Sequence, residues 1–330
     1  MKAIIPVAGA GTKLRPHTYT QPKALIPIAG KTVLSIIVDQ LHEAGIHDFI
    51  FIVGYLGDKI QDYIKETFPH INSTFVTQSE RQGLGHAIML SKDYVVGDEA
   101  MIVLGDTICE YDVNEVLRSN KSMLAVKKVD DPRNFGVAEV DEEKKILKVV
   151  EKPQIPKSNL ALVGIYKIRD TQMLYDCLEL NYREGVKNRD EYSLTDALQC
   201  MIEKGTDFET FKVVNWFDCG NKESLLESNS TLLKKFGTSI SPDHRFENVI
   251  VVEPVSIGKN CEIKNSIIGP NVAVGDNTTI NYSIVKDSII GSYADLFDIV
   301  LEDSLIGSDT EVKGETRSLN IGDNTEIDLG

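Results

Sequence analysis

The sequence predicts an α/β domain built on a mainly parallel sheet, followed by a parallel β-helix. Three observations carry this. Residues 2–77 alternate short apolar runs with helix-patterned stretches. The first apolar run ends in a glycine-bearing turn followed by clustered cations. From about Val249 the apolar period changes to six.

The apolar run Ala3 to Val7 is too short for a membrane span and reads as a buried first strand. Gly9 and Gly11 follow, and alternating glycines let the backbone approach a ligand with its N–H groups free to face an anion. Lys13, Arg15 and Lys23 then place three cations within eleven residues. A glycine turn with cations suits a polyphosphate, because backbone donors cradle oxygens and side chains neutralise charge. Two other phosphate-binding patterns fail. The third glycine of a dinucleotide fingerprint is replaced by Leu14, and the first glycine of a P-loop ending at Gly30-Lys31-Thr32 is replaced by Leu25.

Thr32 to Ala44 has helical spacing and stops at Gly45. A strand over 49–53, a helix over 56–68 and a strand over 72–77 follow, so ligands are expected at the carboxyl ends of parallel strands. Gln78 precedes Gly83 and Gly85, and a glutamine amide offers both donor and acceptor to a pyrimidine edge. His86 reads as a surface histidine near a helix N-terminus, with no catalytic role. The buried strand Met101 to Leu104 ends in Gly105-Asp106, where a carboxylate suits a bound cation. Strands are expected over 122–129, 135–140 and 146–150, and the second carries an interior glycine, Gly136. Helices over 171–180, 193–202 and 222–235 and a strand over 211–214 complete this part.

The stretch AGAGTKLRPHTYTQPKALIPIAGK resembles the signature of the sugar nucleotidyltransferases, G-x-G-T-R-L-x-P-x-T followed by P-K-x-x-x-P. The resemblance covers roughly residues 1–236 through several ordered motifs. It implies a Rossmann-like nucleotidyltransferase domain with a mixed, mainly parallel sheet. It also implies that Lys13 and Arg15 hold the β- and γ-phosphates, and that Lys23 holds the acceptor's phosphate or the α-phosphate. The family arginine is Lys13 here, which keeps the charge and loses the bidentate fork. Ala8, Gly9 and Gly11 then line the nucleotide site, and Gln78 with Gly83 reads the base. G-D at Asp106 and W-x-D-x-G at Asp218 match the two magnesium-ligand segments, 112 residues apart (218 − 106). F-G-V at Gly136, E-K-P at Glu151 and Lys152, and the strand holding Gly164 match the sugar pocket. Many relatives have threonine where Val163 stands. The segment Glu191-Tyr-Ser-Leu-Thr195-Asp196 matches another family landmark and reads as mainly structural, capping the following helix.

The chain has 330 residues, enough for two domains. Its net charge of −15 argues against nonspecific binding to nucleic acid or anionic membranes. The five cysteines are dispersed and form no C-x-x-C, which fits buried small residues in a reducing cytoplasm. No signal peptide or membrane-length run is expected.

In the tail, Ile257 and Ile263 are six apart. So are Ile268, Val274 and Ile280, then Ile284, Ile290 and Leu296, then Val300, Ile306 and Val312, then Ile321 and Ile327. Each aliphatic is expected to stack into a continuous core while small residues turn the corners. The 16-residue steps Ile268 to Ile284 and Ile284 to Val300 imply trimmed corners. The rhythm resembles left-handed β-helix tails of nucleotidyltransferases and acyltransferases. No histidine follows His244, so the tail reads as structural, serving oligomerisation or regulation.

The expected organisation is a catalytic domain over 1–236, a linker over 237–248 and a β-helix over 249–330. The expected enzyme is Mg²⁺-dependent, joins an NTP (UTP or dTTP) to a hexose 1-phosphate (glucose 1-phosphate) with release of pyrophosphate, and forms homo-oligomers. The rival reading is a non-catalytic regulatory or scaffold member of the family. Within the enzyme class, the rivals are GTP with mannose 1-phosphate, and UTP with N-acetylglucosamine 1-phosphate.

Overall fold

The computed structural model describes residues 1–314, in two units: residues 1–26 with 31–228, and residues 27–30 with the chain from Asn229 onward. In the first unit, β1 (Lys2–Pro6), α1 (Val33–Glu43), β2 (Asp48–Val53), α2 (Gly57–Thr67) and β3 (Asn72–Thr77) come first. They are followed by α3 (Leu84–Met89), β4 (Ala100–Val103), β5 (Thr107–Glu110), α4 (Val113–Arg118) and β6 (Ser122–Lys128). Next come β7 (Gly136–Val140), β8 (Ile146–Glu151), β9 (Leu160–Ile168), α5 (Thr171–Glu184), α6 (Leu194–Glu203), β10 (Phe208–Lys212) and β11 (Asn215–Asp218). A helix over Lys222–Phe236 follows.

Nine strands form one mixed sheet, in the order β8-β7-β9-β4-β1-β2-β3, with β6 pairing β9 and β10 pairing β6. The four strands β3-β2-β1-β4 are parallel, with Ile4 paired to both Ile50 and Ile102. Strand β9 runs antiparallel to β4, β6 and β7. The middle strands carry near-continuous apolar runs, as strands buried on both faces do: Ile4, Ile50, Ile102 and Leu124 are all buried. Helix α1 starts as its sequence directs. Thr32 Oγ1 accepts from Ser35 N at 3.0 Å and Ser35 Oγ accepts from Thr32 N at 3.1 Å, a reciprocal cap.

One expected strand shifts and one further strand appears. The strand read over 211–214 lies at Phe208–Lys212, and Asn215–Asp218 is a separate strand paired to β5. Alternation alone does not separate two short strands joined by Val213 and Val214.

The second unit is a parallel β-helix, and its strand geometry fits the left-handed form. Among the described residues its strands pair in parallel, each pair connecting residues 16 or 17 apart. The stretch 237–248, read above as a linker, belongs to the first coil: Ser239–Ile240 pairs with Ser256 and Ile257, and Arg245–Val251 pairs with Glu262–Ile268. Its polar residues hid the hexapeptide rhythm. Segment 27–30 also belongs to this unit, since Ala29 N donates to Asn229 Oδ1 at 2.8 Å and Asn229 Nδ2 donates to the Asn271 carbonyl at 3.0 Å.

The core register of the tail differs from the expected one. Val251, Ile268, Val285 and Leu301 stack in one column, so Ile284 and Val300 face outward, 42% and 73% exposed. Both members of each pair are aliphatic, so period six could not choose between neighbours, and a one-residue slip reverses the face. The step from Ile268 to Val285 keeps 17 residues; the trimmed corner lies between Val285 and Ile290, since Val274 pairs with Ile290. Corners turn mainly on left-handed Asn, Asp and Tyr residues, such as Asn265, Tyr282 and Asp298 in one column. Ile321 and Ile327 lie outside the described residues. No helix among the described residues is long and apolar enough to cross a membrane.

Candidate functional site

The parallel strands deliver their carboxyl ends to one edge of the sheet, and the segments leaving β1, β3 and β4 meet there. They line a cavity of about 510 Å³ that includes Ala8, Gly9, Gly11, Lys23, Gln78, Gly83 and Asp106. A second cavity of about 410 Å³ is lined by Gly136, Glu151, Lys152, Tyr166, Tyr192 and Thr195, among others. Leu84, Leu104 and Glu191 line both, so the two cavities are neighbours with a common wall.

In the first cavity, Lys23 Nζ lies 2.5 Å from Asp106 Oδ2. Strand β11 brings Asp218 opposite Thr107, one residue from Asp106, and Cys219 N donates to the Asp106 carbonyl at 3.3 Å. The 112-residue gap between the two aspartates is thus closed by one antiparallel pairing. Burial raises the Cys219 thiol to about 12, and the nearby Asp106 charge adds to that, so the thiol stays protonated at neutral pH. Gln78 is buried, and its Nε2 donates to the Gly83 carbonyl at 3.2 Å. Gly83 has φ of +103°, and a Cβ there would sit 2.6 Å from the Tyr192 carbonyl oxygen. Only glycine lets these backbones meet.

In the second cavity, Thr195 Oγ1 donates to Glu151 Oε2 at 2.6 Å, and Lys152 Nζ is 3.5 Å from Glu151 Oε1. Asn188 Nδ2 donates to the Glu151 carbonyl at 3.3 Å. Burial raises the pKa of Asp196, and the Glu151 charge raises it further. Burial likewise keeps the Tyr166 phenol protonated. The Glu151 carboxylate is thus held in a partly dry pocket by one neutral donor, the Thr195 hydroxyl, and one cation, Lys152.

Several expected residues are placed differently from the rest. Lys13 and Arg15 are exposed on the turn after Thr12, which lines the first cavity, and the Arg15 guanidinium lies 5.0 Å from the Tyr19 ring centre. Gly164 is buried, and a Cβ on it would meet Leu104 Cδ1 at 2.6 Å, so it lets Leu104 take up its place in the shared wall. The segment 191–196, read as mainly structural, does cap α6 through Ser193, and it also supplies Glu191, Tyr192 and Thr195 to the cavities. Its one legible signal was the acidic residue pattern; its placement depends on pairing with the start of α3, where Gly85 N donates to the Tyr192 carbonyl at 2.8 Å.

The oxygen-only donor set of Asp106 and Asp218 fits Mg²⁺, which takes one or two carboxylates and completes its shell with water and phosphate. No group of three or more His, Cys, Asp or Glu among the described residues is arranged to hold a metal ion.

The model of the family "Nucleotidyl transferase" matches residues 2–235. The bifunctional protein GlmU of Methanocaldococcus jannaschii is 38% identical over 261 residues, covering 78% of this chain and 60% of that protein. The chain thus spans about three fifths of that relative's length. A glucose-1-phosphate thymidylyltransferase of Streptomyces antibioticus is 30% identical over 274 residues, covering 81% of this chain and 75% of that one. A solved UDP-glucose pyrophosphorylase in complex with UDP-glucose superposes with a TM-score of 0.62 at 26% identity, covering 71% of this chain and 98% of that one. With the signature, the two adjoining cavities and these matches in agreement, the chain belongs to the nucleotidyl transferase family.

Proposed function

We propose that the protein transfers a nucleotidyl group from UTP or dTTP to a hexose 1-phosphate, with glucose 1-phosphate favoured, and releases pyrophosphate. The observation that carries this reading is the pair of cavities sharing Leu84, Leu104 and Glu191. One has the glycine turn, Lys23 and Gln78; the other has Glu151 and Lys152. A nucleotide in the first and a sugar phosphate in the second would have their phosphates at the common wall.

In this reading Gln78 and Gly83 read the base, and the backbone of Ala8, Gly9 and Gly11 approaches the nucleotide. Lys13 and Arg15 reach the β- and γ-phosphates from the exposed turn. Lys23 and Lys152 neutralise the phosphates that must approach each other, and Glu151, oriented by Thr195, holds sugar hydroxyls beside Gly136. The sugar-phosphate oxygen attacks the α-phosphorus in line and pyrophosphate leaves, with no covalent enzyme intermediate. Catalysis is then mostly positioning and charge neutralisation. Mg²⁺ held by Asp106 and Asp218 would lower the charge at the α-phosphate.

We also propose that the protein works in the cytoplasm, on the strength of its free cysteines, and that copies assemble through the coils. The support for assembly is an outward column on one sheet, Ile250, Ile284 and Val300, 60%, 42% and 73% exposed.

The test is pyrophosphate release with Mg²⁺, crossing UTP, dTTP, GTP, ATP and CTP against glucose, mannose, galactose and N-acetylglucosamine 1-phosphates. Release with UTP or dTTP and one sugar supports the reading. Folded protein that is silent across the grid overturns it.

A further inference from the structure

Gln78 Nε2 has two partners: the Gly83 carbonyl at 3.2 Å and His86 Nδ1 at 3.1 Å. A carbonyl oxygen only accepts, so the amide atom facing it is the nitrogen. Its second hydrogen then points at His86 Nδ1, which must accept and so carries no proton. Both donors of Gln78 are therefore used within the protein, and Oε1 is the amide atom left for the cavity that Gln78 lines.

We propose that His86 is a specificity-positioning residue: accepting from Gln78 Nε2, it holds the amide so that only an acceptor faces the base. That arrangement selects a base presenting a ring N–H, as uracil and thymine do at N3, over cytosine, whose N3 is itself an acceptor. The inference rests on the nucleotide reading of this cavity.

The surroundings hold His86 in this state. Burial lowers the imidazole pKa, with the Glu80 charge and carbonyl pulling the other way. The ring stacks on Tyr182 at 6.0 Å and 22°, and Tyr182 packs at 4.8 Å on Tyr192, which lines the second cavity. The ring that steadies the base reader is thus itself anchored by the segment that walls the neighbouring pocket. Two acceptors facing each other in a buried site leave both without a donor, a mismatch that costs a factor of about ten or more.

The test compares kcat/KM for the accepted nucleotide (UTP or dTTP) with that for CTP in the wild type, His86→Asn and His86→Leu. The Asn variant offers Oδ1 as an acceptor and should keep the ratio to within about threefold, whereas the Leu variant should lose about tenfold or more. A wild-type ratio in His86→Leu overturns the inference, as does an equal loss in both variants. A second measurement needs only the wild type: the His86 tautomer, read from long-range ¹H–¹⁵N couplings, should show protonated Nε2 and bare Nδ1. A proton on Nδ1 overturns the inference. A wild type that turns over no nucleotide overturns the functional reading instead, and the tautomer still decides how Gln78 is held.

Discussion

Lys23 Nζ lies 2.5 Å from Asp106 Oδ2, so the cation assigned to a phosphate and a carboxylate assigned to Mg²⁺ neutralise each other. A divalent ion on Asp106 competes with this pair. Lys23→Met should therefore tighten nucleotide-free Mg²⁺ binding several-fold while lowering turnover about a hundredfold or more. Calorimetric titration with Mg²⁺ and pyrophosphate release check the two parts. With pyrophosphate release for kcat and calorimetric titration of the sugar phosphate for binding, Asp218→Asn should cost kcat far more than sugar-phosphate binding; equal losses would refute its metal role.

Glu151 is steered by a 2.6 Å bond from Thr195 Oγ1. Thr195→Val removes a hydrogen bond to a charged group, so KM for the sugar phosphate should rise about tenfold with a smaller change in KM for the nucleotide. Thr195→Ser should restore it. Steady-state kinetics with each substrate varied in turn gives the comparison, and a rise confined to the nucleotide contradicts the assignment.

Gly83→Ala would place a Cβ 2.6 Å from the Tyr192 carbonyl oxygen at a φ of +103°. The strain should destabilise the fold by about 1–3 kcal/mol and weaken nucleotide binding, because the same loop anchors Gln78. Thermal unfolding and the KM for the nucleotide measure both. A variant with wild-type values for each would show that the loop opens without cost.

Lys13 sits on an exposed turn. Lys13→Arg should keep or raise turnover, since a bidentate fork suits phosphate oxygens better than a point charge. A marked fall in kcat would mean that the turn is shaped around lysine.

On the β-helix, Ile284→Lys combined with Val300→Lys changes only outward positions. The double variant should keep the thermal stability of the coils and dissociate any assembly. Light scattering reads the mass; an unchanged oligomer would move the interface elsewhere.

The sequence by itself determined the element types, because apolar runs of strand length and helical spacing are local signals. Thr32, followed by a helical run and Gly45, marked α1 nearly to the residue. It also carried the signature from Gly9 to Lys31 and the two aspartate segments. The tertiary structure decided what those segments share. Asp218 reaches Asp106 only because β11 pairs with β5, a contact across 112 residues that no spacing encodes. Glu191 and Thr195 enter the cavities only because Gly85 pairs with Tyr192. The tail's period of six was legible, yet which of Ile284 and Val285 faces the core was not. Both are aliphatic, and the side-chain face of a strand is set by its pairing register, here Ile268 with Val285, which depends on the neighbouring coil.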